Sequence, residues 1–215
     1  KIEYITSNEG PVADFTSDVQ SCCDPLTVYF SDASTAGDNP IVSWEWDFGD
    51  GDTSTDPSPS HTYAAGVYTV TLTVTDEHGC SDDETKIEYI TSNEGPVADF
   101  TSDVQSCCDP LTVQFTDLST PGDNTIVSWY WEFGDGDTST DQNPSHMYAA
   151  GTYTVSLTVT DEHGCSDTET KENYITSNEG PTADFMSDVN SCCDPLTVQF
   201  TDLSTPGDNT IVSWY

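Results

Sequence analysis

The sequence predicts an all-β protein built from tandem β-sandwiches, and three observations support this fold class. Apolar and polar residues alternate with a period of two over short segments, which is typical of half-buried strands. Turns rich in glycine, proline and aspartate separate these segments. The segment KIEYITSNEG begins at Lys1 and recurs at Lys86, and a close variant begins at Lys171, so the chain repeats every 85 residues.

The strands of the first repeat can be read in chain order from this alternation. The clearest segments are Leu26–Phe30, Val42–Trp46 and Tyr68–Val74. Trp44 and Trp46 stand at the same parity, so both are predicted to point into the core. Turn-forming stretches lie at residues 35–40, 49–52 and 77–79. Six or seven short strands in about 85 residues are typical of a β-sandwich.

The repeat also divides the chain into domains. We predict the end of a preceding repeat at residues 1–9, complete domains at residues 10–91 and 92–176, and the first half of a third at residues 177–215. These three are called the first, second and third repeats below. Residues 1–85 and 86–170 are identical at 72 of 85 positions, so we expect equivalent units with one shared role. The third repeat stops halfway, so either the chain is an excerpt or a neighbouring subunit supplies the missing strands, and we favour the excerpt. The predicted linkers, residues 6–10 and 91–95, are short.

The charge balance excludes several classes of partner. Three lysines and no arginine stand against 39 acidic residues, which gives a net charge of -36. Such a surface repels nucleic acid and anionic membranes and attracts divalent cations. No apolar run is long enough to span a bilayer, so we expect no membrane insertion. No serine stands in a nucleophile elbow and no carboxylate pair is marked for glycoside hydrolysis, so we expect no enzyme activity.

The acidic stretch WDFGDGD, residues 46–52, allows two interpretations. Asp47, Asp50 and Asp52 could ligate calcium, which prefers several oxygen ligands around a glycine bend. Alternatively, the two glycines permit a tight turn in which Asp50 accepts hydrogen bonds from nearby backbone amides. No glutamate follows at the distance expected of a calcium loop, and Glu132 replaces Asp47 in the second copy. We therefore favour the turn.

The order of the motifs resembles one known family. PVADF, PLTVYFSDAS, IVSWEWDFGDG and PSHTYAAGVYTVTLTVTDEHG follow one another as they do in PKD (polycystic kidney disease) domains. The resemblance covers two whole repeats and the first half of a third. It implies immunoglobulin-like β-sandwiches that serve as surface and adhesion modules of extracellular proteins, mainly prokaryotic, and that are rarely catalytic. His61 and His146 occupy a fixed family position, where they more often support packing than catalysis.

The resemblance also implies a calcium site at the start of each domain. In the calcium-binding members, an acid before the WDFGD strand, the aspartate that closes VTLTVTD and the incoming linker supply the oxygens. The corresponding residues here are Asn8, Glu9, Asp38, Asn39 and Asp76, and in the second repeat Asn93, Glu94, Asp123, Asn124 and Asp161. One acid of the family pattern is missing, because Ala36 and Pro121 stand in its place, and Asn39 or Glu77 could compensate. The other interpretation is that these residues only cap and solvate turns.

Eight cysteines recur at fixed places in the repeat. Their spacing is wrong for zinc, and disulfides in an oxidising compartment fit better. The resemblance implies that Cys23 pairs with Cys80 and that Cys108 pairs with Cys165. Cys22, Cys107 and Cys192 are then left over. They could cross-link neighbouring chains or successive domains, form a vicinal disulfide or remain free, and Cys22 could replace Cys23 as the partner of Cys80.

The sequence is compatible with two candidate functions. The first is a non-catalytic structural repeat that self-associates in an extracellular fibre, stalk or surface layer, stiffened by junction calcium and disulfides. The second is an accessory module of a large secreted adhesin or hydrolase, which would bind polysaccharide or another cell surface through exposed aromatic residues. Tyr29 and Tyr130 are the candidates, since both stand at the outward parity of their strands. Either function places the protein outside the cell or on its surface.

Overall fold

The computed structural model describes residues 8–191 and 194–214, and every regular element within them is a β-strand. The first repeat holds eight strands, one or two more than predicted. They are β1 (Phe15–Ser17), β2 (Ser21–Cys23), β3 (Leu26–Asp32), β4 (Ile41–Asp47), β5 (Thr53–Ser54), β6 (Ser60–Tyr63), β7 (Gly66–Asp76) and β8 (Ser81–Asn93). The second repeat has β9 (Phe100–Ser102), β10 (Ser106–Cys108), β11 (Leu111–Asp117), β12 (Ile126–Glu132), β13 (Thr138–Ser139), β14 (Ser145–Tyr148), β15 (Gly151–Asp161) and β16 (Ser166–Asn178). The third adds β17 (Phe185–Ser187) and β18 (Phe200–Asp202).

Each complete repeat consists of two sheets, which confirms the predicted all-β class. In the first repeat the orders are β1-β3-β6 and β2-β8-β7-β4-β5, and the second repeat has the same two orders in β9-β11-β14 and β10-β16-β15-β12-β13. The third repeat contributes the pair β17-β18.

One strand pairing shortens the predicted linker. Strand β2 runs parallel to the end of β8, and Cys23 lies opposite Asn93. The residues from Thr91 to Asn93, predicted to be linker, are therefore the last part of β8. Only Glu94 and Gly95 separate this strand from Pro96. The next paired residue is Val97, so the three residues from Glu94 to Pro96 connect the two repeats.

The core of the first repeat follows from the alternation along its strands. Phe15 and Trp46 are both fully buried, and their rings meet edge to face with centroids 5.2 Å apart. Trp44, predicted to share the core, packs at its edge and is only partly buried. The reason is its polar atom, since Nε1 donates a hydrogen bond to Asp32 Oδ2 at 2.8 Å. The core of the second repeat repeats this arrangement around Trp131.

A lysine fastens the short first strand to the long last one in each complete repeat. Lys86 Nζ donates to Asp14 Oδ1 at 3.0 Å and to the carbonyl oxygen of Phe15. The ammonium also lies 4.5 Å from the centroid of the Phe15 ring, within the range of a cation–π interaction. Lys171 makes the same contacts in the second repeat. Two of the three lysines thus serve the fold.

The chain divides into two units whose limits differ from those of the repeats. One unit comprises the chain up to Pro96 together with the loops Pro121–Ile126 and Thr160–Ser166. The other comprises Val97–Thr120, Val127–Val159 and the chain from Asp167 onward. Two loops of the second repeat therefore belong to the first unit.

Candidate junction site

The loop before strand β4 holds the chain entering the first repeat. The backbone amide of Glu9 donates to Asp38 Oδ2 at 2.8 Å, and the amide of Asp38 donates to the carbonyl oxygen of Glu9 at 3.0 Å. The same reciprocal pair joins Glu94 to Asp123, at 2.7 Å and 3.0 Å. We call this arrangement the linker clamp. It recurs a third time between Glu179 and Asp208.

A glycine in the loop makes the clamp close. A Cβ atom built on Gly122 would collide with the backbone carbonyl oxygens of Glu94 and Gly95. Gly37 stands in the same relation to Glu9 and Gly10. The backbones of loop and linker are thus in direct contact, and any larger residue would force them apart.

Next to the clamp, a buried aspartate ends strand β7. Asp76 is 2% exposed, and its Oδ1 accepts hydrogen bonds from the backbone amides of His78 at 2.9 Å and Cys80 at 2.8 Å. Its second oxygen, Oδ2, is buried and has no hydrogen-bond partner among the described residues. Asp161 repeats every one of these features.

The pKa of Asp76 reflects opposing influences. Burial raises it, but the amides of Cys80 and His78 outweigh burial, so the pKa of Asp76 lies below its ordinary value. The side chain of Asn39 adds to this lowering, although Asn39 Nδ2 and Asp76 Oδ2 both lack a partner in hydrogen-bond geometry. Asp76 is therefore a carboxylate at neutral pH, with one oxygen available to a further ligand.

The other predicted ligands fall into three groups. Asn39 and Asn124 are partly buried, and their Nδ2 atoms have no partner among the described residues. Asn8, Glu9 and Glu94 are exposed. Asn93 is held elsewhere, because its Nδ2 donates to Ser21 Oγ and to the carbonyl oxygen of Cys22, both at 3.2 Å.

These observations fit a hard divalent cation. A buried carboxylate oxygen without a donor is costly, and a cation relieves that cost. The donors present are carboxylate, amide and backbone oxygens, which calcium accepts in flexible geometry. The oxygens of Asp76 and Asp161 are the strongest candidates, whereas the clamp already uses one oxygen of each of Asp38 and Asp123.

The structure corrects the predicted disulfides. Cys23 is bonded to Cys165, 142 residues away and inside the first unit, whereas Cys80 and Cys108 are free. Cys23 lies level with Asn93 at one end of the β7–β8 hairpin, and Cys80 lies in the turn at the other end. The ten residue steps of β7 separate them by about 30 Å, far beyond the reach of a disulfide. The same argument separates Cys108 from Cys165.

The remaining cysteines can be placed in part. Cys22 and Cys107 are exposed free thiols, so Cys22 is neither in a vicinal disulfide nor the partner of Cys80. Cys192 lies outside the described residues. The two bonded cysteines come from successive repeats. The sequence predicted a bond between successive domains only for the leftover cysteines.

The acidic stretch at residues 46–52 is a turn. Gly49 and Gly51 have φ values of 84° and 101°, and Asp50 Oδ1 accepts a hydrogen bond from the amide of Asp52 at 3.0 Å. His61 stacks on Phe48 with ring centroids 4.3 Å apart, which confirms its predicted packing role.

The turn also carries a cluster of His61 with two aspartates that the sequence did not predict. His61 Nε2 lies 2.6 Å from Asp50 Oδ2, and Asp52 completes a cluster of three ligand-type side chains that the second repeat reproduces. The register of β6 against β3, with His61 opposite Val28, brings the histidine to this turn. The recurrence of histidine and GDGD in both repeats was the only signal for this pairing.

The comparisons agree with two successive modules of one family. The PKD domain model matches residues 8–91 and 93–177, and the chain belongs to the PKD domain family. The chain is 46% identical over 79 residues to the pre-pro-metalloprotease PrtV of Vibrio cholerae, a match that covers 36% of this chain and 8% of that protein. It is 50% identical over 54 residues to collagenase ColA of Bacillus cereus, covering 24% and 6%.

Among solved structures, the PKD1 domain from the Vibrio cholerae metalloprotease PrtV is 40% identical. That match covers 39% of this chain and 100% of the other, with a TM-score of 0.35. The chain matches only 8% of the length of the curated metalloprotease and 6% of that of the curated collagenase.

Proposed function

We propose that this chain is a non-catalytic structural repeat of an extracellular fibre, stalk or surface layer that associates with itself. The observation that carries the proposal is the linker clamp, which recurs at the start of all three repeats. The clamp joins loop and linker by two hydrogen bonds and by direct backbone contact. It would therefore restrict bending at the junction between repeats. In the described residues no helix is long and apolar enough to cross a membrane.

A divalent cation, calcium foremost, would complete the junction. Asp76 with Asn39 would hold it in the first repeat and Asp161 with Asn124 in the second, beside the linker residues Glu9 and Glu94. The family resemblance adds Asn8 and Asn93 of the linkers to the candidate ligands, and the amide nitrogen of Asn93 already donates to Ser21 and Cys22. The cation would supply positive charge to a chain of net charge -36, in which like charges otherwise repel.

Small-angle scattering and melting temperature test this role. We expect calcium to raise the melting temperature and the maximum dimension of the chelator-treated chain. At a concentration 100 times the dissociation constant, the stabilisation is about 2.7 kcal/mol. Asp161→Asn should abolish the response of the second repeat, and the double variant with Asp76→Asn should abolish all of it.

The matched control is Asp83→Thr. Asp83 is an exposed acid, and the second repeat carries Thr168 at the same place. This variant should keep the full calcium response, because it changes the net charge without touching the junction. An equal response in all variants would mean that calcium acts by general screening, and no response in the wild-type chain would reject the cation's role.

The second candidate is an accessory module of a larger protein. It is favoured by the similarity to segments of a metalloprotease and a collagenase, and by the predicted outward aromatics, since Tyr29 is 60% exposed and Tyr130 44% exposed. Neither aromatic is kept at the same place in both full repeats, where Gln114 and Glu45 are the counterparts. Retention on an insoluble polysaccharide that Tyr29→Gln and Tyr130→Glu abolish would favour this function. Continuous fibres in negative-stain images would favour the first.

A further inference from the structure

Each half of the observed disulfide has a second copy in the chain. Cys23 corresponds to Cys108 one period later, and Cys165 corresponds to Cys80 one period earlier. The bonded pair therefore joins a cysteine of one repeat to the turn cysteine of the following repeat. The two copies, Cys80 and Cys108, are free thiols whose corresponding partners would belong to a preceding and a following repeat.

The surroundings of Cys108 match those of bonded Cys23. Strand β10 pairs in parallel with the end of β16, so that Cys108 lies opposite Asn178 as Cys23 lies opposite Asn93. The amide of the next residue, Asp109, donates to the carbonyl oxygen of Asn178 at 2.8 Å, which equals the corresponding distance beside Cys23. This half of the bond is thus already in position.

The surroundings of Cys80 match those of bonded Cys165. Both amides donate to the Oδ1 atom of the preceding buried aspartate at 2.8 Å, and both carbonyl oxygens accept from the amide of that aspartate at 2.9 Å. Both Cβ atoms lie 3.4 Å from the position that a Cβ would take on the linker glycine, Gly10 or Gly95. The turn therefore presents its thiol beside the linker before any bond is made.

We propose that the Cys23–Cys165 bond is one link of a periodic series. In that series, Cys108 bonds to the turn cysteine of the next copy of the repeat, and Cys80 bonds to the second cysteine of the CC pair in the preceding copy. Every junction of the array is then closed covalently across a short linker. The inference deepens the proposed structural role, and it concerns covalent connectivity, which is independent of whether calcium binds.

The chemistry of each link balances with an external oxidant. Two thiols lose two protons and two electrons as their Sγ atoms bond, and a small-molecule or protein disulfide accepts them and becomes two thiols. The partner within the same polypeptide is favoured over one on another chain. A short linker holds the two thiols at a high effective concentration, whereas a second chain must diffuse to the site.

Disulfide mapping of the oxidised full chain is the first test. Free thiols are blocked with an alkylating reagent, and the peptides are identified by mass spectrometry. The copies can be told apart, since Tyr29 and Asp83 are replaced by Gln114 and Thr168. We expect a cross-linked peptide pair containing Cys23 and Cys165, with Cys80 and Cys108 alkylated. Finding Cys23 joined to Cys80 would overturn the proposal.

The second test supplies the missing partner. A copy of residues 131–178 is appended after Tyr215, which completes a third repeat with its whole last strand and its own turn cysteine. Cys108 should then lose its alkylation and appear in a peptide pair with the appended cysteine, lighter by two hydrogens than the separate thiol peptides. The chain should remain monomeric on non-reducing electrophoresis.

The adjacent cysteines provide matched controls. Cys108→Ser should leave the appended cysteine open to alkylation, whereas Cys107→Ser should leave the bond intact. Alkylation of Cys108 in the extended chain, or dimers that disappear only with reductant and require Cys108, would overturn the assignment. Calcium-dependent stiffening could persist in either case, so failure of this inference is distinguishable from failure of the proposed function.

Discussion

Gly122→Ala tests whether the linker clamp holds the junction. The added methyl group would collide with the carbonyl oxygens of Glu94 and Gly95, both of which are backbone atoms. Neither can rotate away as a side chain could, so the loop has to move off the linker. That displacement breaks the two hydrogen bonds that join Glu94 to Asp123, at 2.7 Å and 3.0 Å.

The expected loss can be worked out from these contacts. The bond from the Glu94 amide to the Asp123 carboxylate is charge-assisted and contributes about 1.5–3 kcal/mol, and the backbone bond contributes about 0.5–1.5 kcal/mol. Replacing glycine by alanine also stabilises the folded state by about 0.4–1 kcal/mol, because it reduces the conformational entropy of the unfolded chain. The net local destabilisation is therefore about 1–4 kcal/mol, which corresponds to a roughly 5- to 900-fold increase in local opening.

Native-state hydrogen exchange measures this opening at the two amides concerned. The amides of Glu94 and Asp123 should exchange faster by that factor in Gly122→Ala, whereas core amides such as that of Leu157 should not change. Gly180→Ala is the matched control, because Gly180 is a linker glycine with open space around its Cβ position. Unchanged exchange at Glu94 and Asp123 would show that the close contact does not restrain the junction.

Two further predictions concern the domains themselves. Lys86→Met should lower the free energy of unfolding of the first repeat by about 2 kcal/mol in urea titrations, since it removes a charged hydrogen bond to the carbonyl oxygen of Phe15 and a cation–π contact with its ring. A change below about 0.5 kcal/mol would mean that the ammonium is effectively solvated. Burial raises the pKa of Asp50, but hydrogen bonds from His61 and from a backbone amide outweigh it and hold the pKa below the ordinary value of 3.8. Asp50→Asn should therefore destabilise the protein above pH 4, and the deficit should shrink as the pH falls through the lowered pKa. A deficit that stayed constant with falling pH would contradict this.

Strand alternation was sufficient to predict the class of fold and most of the core. Leu26, Val28 and Phe30 were placed inward by their period of two, and all three are buried. Trp44 shows the limit of that method, because parity gives the side of the sheet but not its edge. Its indole nitrogen finds a carboxylate at the margin, so the ring is only partly buried.

The disulfide shows a different limit. Cys23 and Cys80 belong to one repeat, and a pattern in sequence places them in one domain without saying at which end each one lies. Two facts of the fold decide the matter: Cys23 pairs with the last residue of β8, and β7 extends for eleven residues between the two positions. Neither the parallel pairing of β2 nor the continuation of β8 to Asn93 could be read from the alternation.

The differences between the copies show why every junction can be built alike. None of the 13 positions that differ between residues 1–85 and 86–170 falls on a clamp residue, a buried junction aspartate or a cysteine. Pro40 of the junction loop does change, to Thr125, yet both use their carbonyl oxygen to accept a bond from the amide after that aspartate, at 3.2 Å and 3.1 Å. Since backbone atoms make this contact, the side chain is free to vary. The junction therefore depends on a glycine, a few acids and main-chain geometry, all of which any two successive copies of this repeat bring together.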